Sequence, residues 1–217
     1  VLNNTNLLMS VELTKQTGYY RQQIILSIFL LFTLTLAIGS ILRNRYSDKI
    51  IFVLVTISIF LIHCIKNPIY FLDAQPIYET GSNFFLQTYE RGFAKSLFLE
   101  DAMYWPLFTR LLSDIVVVLF RQRRLAMFLL NCMGGIIVAL NCSLINLRGF
   151  RINLGKYERF VLSLILGASP LFGIEALISL HNSVYWNFIL LTLILTVDWN
   201  KLRRYQFILV LFSSLMI

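Results

Sequence analysis

Four stretches, residues 24–42, 50–65, 125–147 and 160–180, run for 16 to 23 residues with few or no charges. A helix needs about 20 apolar residues to cross the roughly 30 Å hydrocarbon core of a bilayer, so each is long enough or nearly so. Two further apolar runs follow, 184–197 and 207–217. In hydrocarbon every backbone N–H and C=O must be satisfied within the protein, which leaves helices as the economical way to thread such runs. The expected fold is therefore all-α, a polytopic transmembrane helix bundle. Composition agrees: 58% of residues are hydrophobic and 14% charged, against about 45–50% and 25% for soluble domains. A disordered chain, a secreted disulfide scaffold and a soluble enzyme are excluded together.

The chain divides into a polar N-terminal segment (1–22), two spans (23–65), a long connecting loop (66–124) and a further set of spans (125–217). The last run stops eleven residues in, and the chain is expected to be the N-terminal portion of a longer protein. No cleavable signal peptide is visible, because the first 22 residues are polar and the first apolar run lacks a small-residue cleavage site. The net charge of +8 comes from 19 Lys and Arg against 11 Asp and Glu. Such an excess suits basic cytoplasmic loops, and no nucleic-acid partner is expected. Arg43, Arg45 and Lys49, then Arg148, Arg151, Lys156 and Arg159, then Lys201, Arg203 and Arg204 make up three short connections. Placing these inside puts loop 66–124 outside, with Asp73, Glu79, Glu90, Glu100, Asp101 and Asp114, six of the eleven acids. Residues 104–120 carry Arg110 and Asp114 and only six uninterrupted apolar residues, 115–120. They read as an amphipathic helix at the outer surface, its basic end among headgroups, rather than as another span.

Loop 66–124 is far longer than ordinary connections, which seldom exceed about 15 residues unless functional or disordered. It is rich in aromatics, among them Tyr70, Phe71, Phe84, Phe85, Phe93 and Trp105, so it is able to bury surface. Aromatic faces and carboxylates together suit sugars, which offer C–H surfaces to stack on and hydroxyls to bind or deprotonate. The structural alternative is a solvated acidic face with an interfacial aromatic belt.

Asn67-Pro68-Ile69-Tyr70, the run Ile77-Tyr78-Glu79-Thr80-Gly81-Ser82-Asn83-Phe84-Phe85, Glu90-Arg91-Gly92-Phe93, Ser96-Leu97-Phe98 and Tyr104-Trp105-Pro106 through Arg110 together resemble the first outer loop of bacterial GT-C-type membrane glycosyltransferases. More closely they are similar to a branch of large polytopic proteins from surface-polysaccharide loci. A second block, Ser169-Pro170-Leu171-Phe172-Gly173-Ile174-Glu175 and His181-Asn182-Ser183-Val184-Tyr185-Trp186, fits the same branch. One departure is plain: where the pattern has two adjacent acids, this chain has Glu79-Thr80.

The resemblance implies a GT-C-like bundle in a bacterial inner (plasma) membrane. It implies a polyprenyl-phosphate sugar donor and a glycan or lipid-linked acceptor as partners, besides the lipid bilayer. Glu79 would be the general base, with Asp73 and Asp101 as the other candidates, and Arg110 would meet the donor phosphate. Glu175, His181, Asn182 and Trp186 would line a polar substrate pocket. Each has a structural alternative: Glu79 as a helix cap, Arg110 as the i,i+4 partner of Asp114, Glu175 snorkelling from a span, Trp186 as an interface anchor. A divalent metal ion is left open as a cofactor, and no metal-ligand spacing occurs in the chain. His63, alone at the end of the second run, is expected to be hydrogen-bonded structurally. Gly134-Gly135 is expected to permit close packing. Cys64, Cys132 and Cys142 read as small buried hydrophobes. The rival class is a non-enzymatic transporter, flippase-like or scaffold component, which would place charges and broken helices near the midplane.

Overall fold

In the computed structural model the described residues are 2–42 (side chains from Gly18), 47–75, 84–99, 107–120, 122–147, 149 and 154–169, with isolated positions from Trp186 onward. Among them there are helices and no strands. The helices are α1 (Leu2–Leu42), α2 (Asp48–Lys66), α3 (Pro68–Phe71), α4 (Gln87–Arg91), α5 (Phe93–Ser96), α6 (Leu107–Leu119), α7 (Arg123–Ser143) and α8 (Lys156–Ala168). Three are long and apolar enough to cross a membrane, over Gly18–Leu42, Asp48–Lys66 and Arg123–Asn146. They coincide with the first three apolar runs.

The polar N-terminal segment and the first apolar run belong to one helix, α1, from Leu2 through the span; the first proline of the chain is Pro68, so no proline interrupts it. The three spans differ in position. Only 17% of the apolar window of α1 is buried, against 33% for α2 and 61% for α7, so α7 lies deepest and α1 at the rim. The outward residues of α1, including Ile24, Ile28, Leu31 and Phe32, are the apolar surface a lipid-facing helix needs. Its inward edge is tied to α2 by polar contacts. Thr33 Oγ1 and Ser58 Oγ lie 2.8 Å apart in a buried hydrogen bond, and Gln23 Nε2 donates to Ile65 O at 3.0 Å. Interhelical bonds of this sort contribute on average about 0.6 kcal/mol in a bilayer.

The core runs through the bundle. Ala37 of α1, Ile51, Val55 and Ile59 of α2, Val138, Ala139 and Cys142 of α7, Phe160 of α8 and Trp186 form one buried cluster. Polar contacts mark its two ends. At one, Lys156 Nζ stands 3.9 Å from Asp48 Oδ1, and Asn146 Nδ2 donates to Ser163 Oγ at 2.7 Å. At the other, Asn67 Nδ2 and N both donate to His63 O as α2 ends before Pro68. Glycine at 135 admits aromatic rings rather than a second helix backbone. A Cβ there would lie 3.2 Å from Phe71 and 3.4 Å from Phe60, whose rings meet edge to face at 5.7 Å.

The apolar run from residue 160 opens where Pro170 suggests it would: α8 ends at Ala168, and Ser169 turns to φ −52°, ψ 128°. Pro170 has no N–H for the carbonyl of Leu166 and disfavours helical backbone at Ser169, so the break falls where the chemistry puts it. Thirteen residues span about 20 Å, too short to cross. Lys66 Nζ reaches from α2 to Ala168 O at 2.6 Å and satisfies one carbonyl of the broken end. His63 differs from expectation, for it is fully buried and neither ring nitrogen has a hydrogen-bond partner among the described residues. The three cysteines are free thiols, Cys64 and Cys142 buried and Cys132 partly so.

Asn131 is a contributor that periodicity alone does not reveal. It lies buried on α7, and its Nδ2 donates to Tyr70 O at 2.8 Å and to Gln75 O at 2.9 Å, pinning the turn after α3 to the bundle. That turn holds Ala74 at φ 53°, a left-handed conformation unfavourable for alanine. Asn131→Leu keeps the volume and removes both bonds. We expect a loss of about 1–3 kcal/mol for the orphaned carbonyls, read as a lower temperature at which the buried thiols react with a fluorogenic maleimide. An unchanged midpoint would show that the turn is held by other contacts.

Candidate functional site

Helix α6 places Thr109, Arg110, Ser113 and Asp114 on one face and Leu107, Leu111, Ile115 and Val118 on the other, as spacings of three and four dictate. Above water the polar face would turn outward. Here it is the buried one: Arg110 and Asp114 are each 1% exposed, while Val118 and Leu119 are 52% and 67% exposed.

Beneath α6 lie α4 and α5, short helices separated by Gly92 at φ 80°, a conformation that favours glycine. They supply hydroxyls to Asp114. Ser96 Oγ donates to its Oδ2 at 2.9 Å and Thr88 Oγ1 to its Oδ1. The Thr88 hydroxyl also lies 2.7 Å from Phe84 O, and one proton cannot serve both acceptors at once. Burial pushes the Asp114 carboxyl above its ordinary value, while Thr88, Ser96 and the Arg110 guanidinium pull it down by smaller amounts. Arg110 donates from Nη1 to Gln87 Oε1 at 3.0 Å, and its guanidinium carbon lies 5.0 Å over the Phe84 ring, a cation–π distance. The result is a buried polar cluster of one acid, one base, two hydroxyls and an amide. Val116 and Val117 close it on the bundle side against Ala126, Met127 and Leu130 of α7.

A second cluster joins the middle of α1 to the turn after α3 and the start of α7. Asp73 accepts from Gln75 Nε2 at 3.0 Å and pairs with Arg124 at 3.4 Å, and the Tyr19 side chain hydrogen-bonds to it. The pair is exposed enough that it contributes about 0–1 kcal/mol.

Of the residues singled out from sequence, Asp73 and Arg110 thus belong to separate clusters, each with its own partners. Trp186 is 2% exposed and packs in the core with α2, α7 and α8. Glu79, Asp101, Glu175, His181 and Asn182 lie outside the described residues. Gln87 and Thr88 were not singled out, and Ser96 entered only within the Ser96-Leu97-Phe98 motif, with no site role. Their signal was weak, since ordinary polar residues on short helices gain meaning only from an acid and a base 18 to 26 positions away. Among the described residues no three His, Cys, Asp or Glu converge on a metal position. No family model, curated protein or solved structure matches the chain.

Proposed function

We propose that the chain is a membrane glycosyltransferase of GT-C-like design, multi-pass in a bacterial plasma membrane. It transfers a sugar from a polyprenyl-phosphate donor to a cell-surface glycan or its lipid-linked precursor at the outer face. The observation that supports this reading best is the connection between α2 and α7. It is a packed set of short helices holding ionisable side chains in buried polar contacts beside helices able to span a bilayer. The resemblance over residues 66 to 197 supplies the chemistry.

In that chemistry Glu79 takes the proton of the acceptor hydroxyl, and the oxygen attacks the anomeric carbon. The bond from that carbon to the lipid phosphate breaks, and the phosphate leaves with the electron pair. A positioned base contributes about 10²–10⁴-fold, and a cation at the leaving phosphate offsets the developing charge. Arg110 is the candidate, because a guanidinium binds phosphate oxygens bidentately. At 1% exposure it meets a phosphate only if Gln87 gives way. Asp73 and Asp101 are the other candidate bases, and freeing Asp73 requires opening its contacts with Arg124, Gln75 and Tyr19.

The test is complementation in the surface-glycan pathway of the source cell, with native chain, Glu79→Gln and Glu175→Gln at matched membrane levels. Loss of glycan modification in Glu79→Gln is the expected result. Normal glycan in both variants would overturn the site assignment. A second reading, a transporter or flippase-like component, is favoured by the end of α8 at Ala168 with the Lys66 ammonium on its carbonyl, since such proteins place helix ends and charges together within the membrane.

A further inference from the structure

The exposed face of α6 is apolar along its length: Leu107, Leu111, Ile115, Val118 and Leu119 are 36–67% exposed, while the charged face is sealed. A helix that hides Arg110 and Asp114 and presents five aliphatic side chains is arranged for hydrocarbon, since burying charge while wetting leucine is unfavourable on both counts. The face continues into α7, which packs on α6 through Val116, Val117, Ala126 and Met127 and exposes Leu125 and Phe128 next to them. Because α7 is able to span, its outward face belongs to lipid, and the face of α6 extends it. The rim has the composition of a membrane interface. Tyr89, Phe93 and Phe98 are exposed on and after α4 and α5, with Arg91 and Lys95 exposed among them and Arg123 exposed at the start of α7.

We propose that α6 is seated in the leaflet at the end of the bundle where α2 stops and α7 starts, its aliphatic face among acyl chains, with Arg91, Lys95 and Arg123 at headgroup phosphates. The bilayer is the occupant rather than another protein, because the face is continuous with a spanning helix and bordered by basic and aromatic side chains. The seat does not depend on the enzyme reading. It makes the polar cluster of Arg110 and Asp114 a sealed group at the membrane boundary rather than part of a solvated loop.

The full chain, carrying Cys64→Ala, Cys132→Ala and Cys142→Ala, is reconstituted in phosphatidylcholine–phosphatidylglycerol vesicles with one spin label at a time, through Leu111→Cys, Ile115→Cys, Val118→Cys or Arg91→Cys. At positions 111, 115 and 118 relaxation by dissolved oxygen should exceed relaxation by a water-soluble nickel chelate, and at position 91 the order should reverse. Nickel prevailing at all four positions would place the face in water and overturn the proposal. Shielding of 111, 115 and 118 from both reagents would mean that protein covers the face, and would overturn it equally. Should the cysteine replacements unfold the chain, Val118→Trp in the native-cysteine protein gives an independent reading. Its added emission should be largely lost in vesicles of bromine-labelled lipid, and an undiminished increment would refute the seat.

Discussion

Replacing Gly167 by alanine is expected to force α8 away from α2. A Cβ at that position would lie 2.7 Å from both Ile59 Cδ1 and Ile59 Cγ2, and 2.9 Å from Ile59 Cγ1. The contact is inside the core, where Ile59 is fully buried, so its rotamer has little room to yield. Overpacking of this kind costs about 1–3 kcal/mol. It would also pull Ala168, the next residue, from the Lys66 ammonium at 2.6 Å. The readout is the temperature at which buried Cys64 and Cys142 react with a thiol dye, which should fall. Ile59→Ala alone creates a cavity and should cost about 2–5 kcal/mol. In the double variant the small side chain makes room for the new methyl, and the two losses should sum to less than their total. Strict additivity would contradict the close approach.

The second large effect concerns Asp114. Asp114→Ala removes the acceptor of Thr88 and Ser96 and leaves the Arg110 guanidinium buried without its nearby carboxylate. Breaking buried charge contacts from one side costs on the order of 3 kcal/mol. The local readout is trypsin cleavage after Arg91 and Lys95, which should become many-fold faster while the spanning helices stay protected. The pH dependence has a definite sign. The folded carboxyl is raised above its unfolded value, so the native state holds the proton more tightly. Its contribution to stability is complete below the unfolded value, about 4, and is lost as pH rises through the raised folded value. Protection of α4 and α5 should therefore strengthen as pH falls through the raised folded value, and Asp114→Asn should flatten the trend. Protection that weakens on acidification in the native chain alone would contradict this account.

What the sequence revealed follows from how local each signal is. The three spans were legible because a bilayer demands about twenty consecutive apolar residues and α1, α2 and α7 contain them. The helix over 107–119 was legible for a similar reason, as Arg110 and Asp114 stand one turn apart on a single face. The break at Ser169 was legible too, because Pro170 suggests a locally opened helix there. Partners of the buried charges were not legible. Gln87, Thr88 and Ser96 meet α6 across 18 to 26 residues, and Asn131 reaches Tyr70 and Gln75 across 61 and 56. Such pairings leave no periodicity. The same holds for His63, whose lack of a hydrogen-bond partner among the described residues is a property of what surrounds it.

The central claim, sugar transfer from a polyprenyl phosphate, is tested most directly by the lipid donor itself. Lipid extracts of the source cell would be compared by mass spectrometry with the gene intact, deleted, and deleted but carrying the native chain or Glu79→Gln. If the chain consumes a polyprenyl-phosphate sugar, that lipid accumulates on deletion, returns to its normal level with the native chain, and stays high with Glu79→Gln; its mass then names the sugar class. An identical polyprenyl-phosphate sugar pool in all four strains would contradict the glycosyltransferase account.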